Sequence, residues 1–123
     1  MVALKPSSAK QKGRLFQQEV RDRILADYPN LEPDDVRSTS MGAGGTDIQL
    51  SSAAKKEFPY AVECKSLAES AAHRYYNQAC AHAKVSGGEP LAIVKINRRP
   101  AVAIISFDHF MELTRNQIRM SST

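Results

Sequence analysis

Three charged side chains stand near the middle of the sequence, in two short segments where apolar and polar residues alternate. Asp47 follows a pair of glycines, and Glu63 and Lys65 are two positions apart within the segment Tyr60–Lys65. Because successive side chains of a strand point to opposite faces, Glu63 and Lys65 are predicted to share one face. Carboxylates that converge from neighbouring strands, here Asp47 and Glu63, repel one another unless a cation lies between them. The two segments therefore predict a divalent metal site.

Oxygen ligands of this kind suit Mg²⁺ or Mn²⁺, which keep part of their water shell and bind substrate phosphates. Lys65 is then expected to orient or help deprotonate an attacking water and to offset charge on a phosphate. The glycines before Asp47 allow the backbone to pass close to a ligand. The alternative for Glu63 and Lys65 is a surface ion pair, which is common and contributes little to stability.

The composition is that of an ordinary globular domain with a basic surface. The chain has 123 residues, of which 42% are hydrophobic and 24% charged, and its net charge of +4 favours polyanionic partners. We expect a flexible basic arm over residues 1–12, one domain over residues 13–119, and a cytoplasmic location, since no apolar run suits a membrane span or signal peptide. Cys64 and Cys80 form no metal-binding or disulfide pattern and are predicted to be buried thiols.

Apolar periodicity predicts the elements that must position these side chains. Helices are expected at Gly13–Tyr28, Glu69–Val85 and Phe107–Arg119, and strands at Val36–Ser40, Thr46–Leu50, Tyr60–Lys65, Leu91–Ile96 and Ala101–Ile105. The last two strands flank a basic hairpin tip. The order αβββαββα implies an α/β fold of the mixed α+β kind, with a central mixed sheet of about five strands flanked by helices.

These motifs, in this order, resemble the PD-(D/E)xK nuclease superfamily, and within it the small Holliday junction resolvase-like enzymes of archaea and phages. The residues that carry the likeness are Gly13-Arg14, Val36–Ser38, Gly45–Ile48, Val62–Lys65 and Gln78. They span most of the chain, and Thr46 stands where the signature has proline. The resemblance implies a restriction-endonuclease-like core and a Mg²⁺- or Mn²⁺-dependent DNA endonuclease.

The resemblance also implies roles for individual residues. Asp47 and Glu63 are expected to bind the metal, with the Cys64 carbonyl as a third ligand, and Lys65 to be catalytic. Members of the family often add an acid from the first helix. Glu19 is one candidate for that position and Gln17 is the other, and the sequence leaves the choice open.

Further side chains are expected to contact DNA. Gln78 is predicted to bond the attacking water or a phosphate, unless it is an ordinary surface glutamine. Ser38 and Ser40 are candidate phosphate donors, or else loop caps. Candidate backbone contacts come from the basic residues Arg14, Arg21, Arg37, Lys55, Lys56, Arg74, Arg98 and Arg99.

The resemblance further implies the substrate and the assembly. Resolvases of this group act as homodimers on branched DNA such as Holliday junctions, in recombination in a bacterial or phage-infected cell. One alternative is a nuclease of the same fold that acts on duplex, flap or single-stranded DNA. Another is a catalytically inactive DNA-binding module that keeps the fold.

Overall fold

The computed structural model of the chain describes residues 6–39 and 45–121, with side chains over 8–39 and 45–117. Its helices are α1 (Pro6–Asp27), α2 (Ser52–Glu57), α3 (Ala71–Ser86) and α4 (Phe107–Ser121), and a short 3₁₀ turn covers Pro33–Asp35. Its strands are β1 (Val36–Ser38), β2 (Ile48–Leu50), β3 (Ala92–Val94) and β4 (Val102–Ile104). The elements group into two compact units, Met1–Ser66 with Ile118–Thr123, and Leu67–Gln117. A single domain over residues 13–119 stays a prediction.

The core of the first unit forms on one face of α1. Val20, Ile24 and Tyr28 recur every four residues along this face and are all buried, as expected for an amphipathic helix. The helix begins at Pro6, not at the predicted Gly13. Residues 6–12 are therefore helical where a flexible arm was expected, and the rest of that arm, residues 1–5, lies outside the described residues.

The strands β1 and β2 form an antiparallel pair in which Val36 lies opposite Leu50 and Ser38 opposite Ile48. Ile48 is buried and Gln49 is exposed, which confirms the predicted alternation along β2. The remaining buried apolar residues of this unit are Leu31, Val36, Ala54 and Phe58.

Hydrogen bonds of Arg21 and Ser51 tie α1 and α2 to the 3₁₀ turn and the start of β1. Arg21 donates from Nε to the Val36 carbonyl at 2.8 Å and from Nη2 to the Pro33 carbonyl at 3.0 Å. On the other side, the Ser51 hydroxyl donates to the Asp35 carboxylate at 2.6 Å and accepts the Ala54 N–H at 3.1 Å as the N-cap of α2.

The second unit contains α3 and the β3–β4 hairpin. Ser70 caps the start of α3 by accepting the His73 N–H at 3.2 Å, and α3 ends at Gly87, whose φ of 82° favours glycine. Val94 pairs with Val102 across the hairpin. The predicted hairpin with a basic tip is confirmed, and Arg98 at this tip has a φ of 65°.

The described residues do not show the predicted central sheet of about five strands. In the described residues the four strands form two separate two-stranded sheets, and Tyr60–Lys65 is an extended segment outside both. The physical reason lies in where its backbone bonds go. Asp47 donates its N–H to the Val62 carbonyl at 3.1 Å, but the Cys64 N–H bonds the Asp47 side chain. Tyr60 donates its N–H to the Phe58 carbonyl at 2.9 Å, so in the described residues no ladder of main-chain bonds pairs this segment with β2. The fold is accordingly mixed α+β.

Candidate functional site

The backbone of Asp47 is held on both sides. Its N–H donates to the Val62 carbonyl at 3.1 Å, and its carbonyl accepts the Thr39 N–H at 2.8 Å. The Thr39 hydroxyl donates to the Thr46 carbonyl at 2.6 Å. Gly45, two residues before Asp47, has a φ of 92°, a conformation that residues with a side chain rarely adopt. These contacts fix the position from which the Asp47 side chain projects.

The Asp47 carboxylate reaches across to the extended segment. Its Oδ2 accepts the Cys64 N–H at 2.7 Å, and this is the one hydrogen bond of this carboxylate within the described residues. Exposure alternates along the segment, since Val62 and Cys64 are half-buried whereas Glu63 and Lys65 are exposed. The predicted sharing of one face by Glu63 and Lys65 is thus confirmed, although the segment is not a strand.

The pKa of the Cys64 thiol indicates the charge of its surroundings. Burial, and after it the negative charges of Asp47 and Glu63, together raise its pKa to about 11. The thiol therefore stays protonated at neutral pH, so it is a poor nucleophile. Because both carboxylates act on one sulfur atom, Asp47 and Glu63 create a negative potential around Cys64, which favours a cation.

The donor set fits a hard cation better than zinc. Among the described residues there is no group of three or more His, Cys, Asp or Glu side chains that could hold a metal ion. A Mg²⁺ ion, however, is commonly bound through one or two carboxylates, with waters and substrate phosphates completing the shell. Asp47 and Glu63 supply that number of carboxylates, and the Cys64 carbonyl as a further ligand stays a prediction.

One of the two candidate residues on α1 is buried. Gln17 is only 4% exposed and lies on the same face as Val20 and Ile24. Glu19 is exposed on the other side of α1. Of the two alternatives left open by the sequence, Gln17 is therefore the one that faces the interior of this unit, and a catalytic role for either residue stays a prediction.

The DNA-contact candidates of the first unit fall into different groups. Arg14, Lys55 and Lys56 are exposed helix residues, and Ser38 is half-buried at the end of β1. Arg37 is exposed and forms an ion pair with Asp34 at 3.1 Å. Ser40 lies outside the described residues. The guanidinium of Arg21 is bonded to two main-chain carbonyls, which gives that residue a structural role that the sequence did not reveal.

The remaining candidates belong to the second unit. Arg74 and Gln78 are exposed on α3, and Arg98 and Arg99 are exposed at the hairpin tip. Gln78 lines a cleft of about 460 Å³ together with Tyr75 and residues of β3. That these four residues take part in a site around Asp47 stays a prediction.

A cleft in the first unit lies along the same two segments as Asp47 and Glu63. It has a volume of about 660 Å³ and is lined by Thr46, Ile48, Gln49, Leu50, Lys55, Pro59, Tyr60 and Ala61. From the sequence we assigned no site role to Tyr60, the first residue of the segment that carries Glu63 and Lys65. The signal that could have indicated its place in this cleft is an aromatic residue directly after a proline.

Comparisons of the chain with protein-family models, with curated proteins and with solved structures found no match. The likeness to PD-(D/E)xK nucleases therefore rests on the residues of this chain alone. Within the described residues, no helix combines the length and the apolar character that crossing a membrane requires.

Proposed function

We propose that the protein is a metal-dependent DNA endonuclease whose centre is formed by Asp47, Glu63 and Lys65. The observation that supports this most is the hydrogen bond of 2.7 Å from the Cys64 N–H to the Asp47 carboxylate. It joins the segment of Asp47 to the segment of Glu63 and Lys65 next to Cys64, as the Asp and Glu-x-Lys elements of such a nuclease require.

In this proposal Asp47 and Glu63 hold Mg²⁺, which when bound polarises the phosphate and lowers the pKa of water. The Cys64 N–H fixes the orientation of the Asp47 carboxylate through Oδ2, which leaves Oδ1 for the metal. The exposed ammonium group of Lys65 orients the attacking water and offsets charge on the phosphate in the transition state. Protonated Cys64 contributes packing and its main chain, and takes no part as a nucleophile.

Branched DNA and a homodimer are the substrate and assembly that we propose, on the resemblance to resolvases. The net charge of +4 supports a polyanionic substrate in general. Ordinary duplex, flap or single-stranded DNA is the alternative substrate within the same enzyme class. An inactive DNA-binding module is the alternative from another class, and the glutamine at position 17, where the family often has an acid, supports it.

A cleavage assay with labelled four-way junction, flap, duplex and single-stranded DNA tests this proposal. We expect cleavage with Mg²⁺, none with chelator, and a loss of at least about a hundredfold in Asp47→Asn and Lys65→Ala, since each removes charge that the transition state needs. Both variants should still bind DNA. Glu69→Gln, which removes an exposed carboxylate from the second unit, serves as the matched control.

The pattern of products then separates the alternatives. Preference for the junction supports the resolvase-like reading, and preference for another substrate replaces it within the same class. DNA binding without metal-dependent cleavage of any of the four substrates contradicts the enzyme proposal and supports the inactive module.

A further inference from the structure

The cleft in the first unit adjoins the candidate catalytic residues. Its wall includes Thr46 and Ala61, and these two residues precede Asp47 by one position and Glu63 by two. The cleft and the acidic pair are therefore successive stretches of the same two segments. A polynucleotide with one phosphate at Asp47 would therefore extend along these segments towards the cleft.

The aromatic ring in the cleft is held firmly. Tyr60 is 40% exposed, and its ring meets that of Phe58 edge-on, with centroids 4.8 Å apart. Phe58 is buried and contacts Tyr28 in the same manner at 5.6 Å. Because the ring rests on buried neighbours, a planar ligand that stacks on its exposed side loses little to ordering of the ring.

The polar groups of the cleft suit an anionic ligand that carries hydrogen-bonding edges. Lys55, on the last turn of α2, contributes a positive charge, and Gln49, exposed on β2, contributes an amide. No carboxylate is among the described residues that line the cleft. Lys56, the next residue on the same helix, does not line it. A base and a phosphate together match this combination of ring, amide and cation.

We propose that the cleft binds one unpaired nucleotide of a DNA strand, with its base stacked on Tyr60 and its phosphate beside Lys55. The volume of about 660 Å³ falls within the ordinary range of ligand sites and accommodates a nucleotide. This inference rests on the proposed function, because it names the part of the substrate that lies next to the cut. The cleft would then select DNA in which the nucleotide beside the scissile phosphate is unpaired, as in a single strand, or becomes unpaired when base pairs open at the branch point of a junction.

The test measures binding in the presence of chelator, so that cleavage does not interfere. The probe is a fluorescently labelled single-stranded oligothymidylate, in intact form and with abasic positions in place of its central bases. Since stacking of one base on an aromatic ring strengthens binding by about five- to a hundredfold, we expect the abasic probe to bind wild-type protein roughly tenfold more weakly. This measurement needs no variant.

Variants then assign the effect to the cleft. Tyr60→Leu should weaken binding of the intact probe about tenfold and should abolish the difference between the intact and abasic probes. Tyr60→Phe keeps the ring and should bind within about twofold of wild type. Tyr75→Leu removes a similarly exposed tyrosine of the second unit, 43% exposed, and should change nothing. Lys55→Gln should weaken both probes, whereas Lys84→Gln, on α3, should not.

Two outcomes overturn the inference. If the wild-type protein binds the intact and abasic probes with equal affinity, no base stacks in the cleft. An unchanged difference between the probes in Tyr60→Leu, with thermal unfolding as in wild type, means that the base does not stack on Tyr60. If the protein cleaves DNA with Mg²⁺ in either of these cases, the proposed endonuclease function is not contradicted. Conversely, Tyr60-dependent binding without any cleavage overturns the endonuclease and leaves the nucleotide site.

Discussion

Asp47 joins the segments that form the candidate site. Its main chain forms hydrogen bonds with Thr39 on one side and Val62 on the other, and its carboxylate accepts the Cys64 N–H. The types and spacing of Asp47, Glu63 and Lys65 predicted which residues share a face, because a period of two holds for any extended segment. They did not predict that the Asp47 side chain would replace a main-chain acceptor, since that depends on where the two segments meet.

The reactivity of Cys64 tests the electrostatics around Asp47. A pKa of about 11 predicts slow alkylation of Cys64 by iodoacetamide at pH 8, with a rate that rises up to about pH 11. Asp47→Asn removes one of the two charges that raise this pKa, so it should speed alkylation at pH 8. Peptide mass spectrometry in chelator measures the rate, with Glu69→Gln as control. An alkylation rate unaffected by Asp47→Asn would show that the charge does not act on the thiol.

The same pKa has a consequence for stability at high pH. The Cys64 pKa is raised in the folded state, so the unfolded chain loses its thiol proton first as the pH rises. The contribution of this group is therefore complete below the ordinary pKa of 9.0 and is lost as the pH rises towards about 11.

At the scale of elements, a small polar cluster positions α2 and with it Lys55. Asp35 accepts the Ser51 hydroxyl at 2.6 Å and the Glu32 N–H at 2.8 Å, and Ser51 in turn caps α2. These bonds lower the pKa of Asp35, that from Ser51 most. A carboxylate with a lowered pKa stabilises the fold above its ordinary pKa of 3.8, and this contribution is lost as the pH falls below that value.

Ser51→Ala tests this cluster. The substitution removes the N-cap of α2 and the hydroxyl that bonds Asp35, so the free energy of unfolding should fall by about 1 kcal/mol at neutral pH. Ser52→Ala changes an exposed serine one position later and should have a smaller effect. Urea unfolding at pH 7 and pH 3 measures both variants. A difference between Ser51→Ala and wild type that is the same at both pH values would argue against the Asp35 contact.

The sequence predicted the helices and strands only in part. The helical spacing of Leu15, Phe16, Val20, Ile24 and Leu25 predicted α1, although Leu15 is 50% exposed. The apolar runs around Asn97–Pro100 predicted a hairpin. The described residues do not show the five-stranded sheet, because an alternating pattern such as that of Tyr60–Lys65 predicts an extended backbone but does not supply it with hydrogen-bond partners. The structural role of Arg21 was hidden because its acceptors are main-chain carbonyls, which every sequence contains.

At the scale of the whole molecule, the basic charge should determine how DNA binding depends on salt. Each arginine that contacts a phosphate contributes about one to the slope of log affinity against log salt concentration. We predict that the double variant Arg98→Gln, Arg99→Gln reduces this slope for duplex DNA by roughly two. Arg21→Gln removes the same kind of charge from a guanidinium bonded to carbonyls and should leave the slope unchanged. Fluorescence anisotropy over a salt series measures the slopes.

Crystals soaked in Mn²⁺ test the proposed metal site itself. Anomalous diffraction from the manganese locates the ion independently of any activity. We expect one peak between the carboxylates of Asp47 and Glu63 in wild type, and no peak there in Asp47→Asn. Soaked wild-type crystals without a peak between these two carboxylates would show that they do not hold a metal ion.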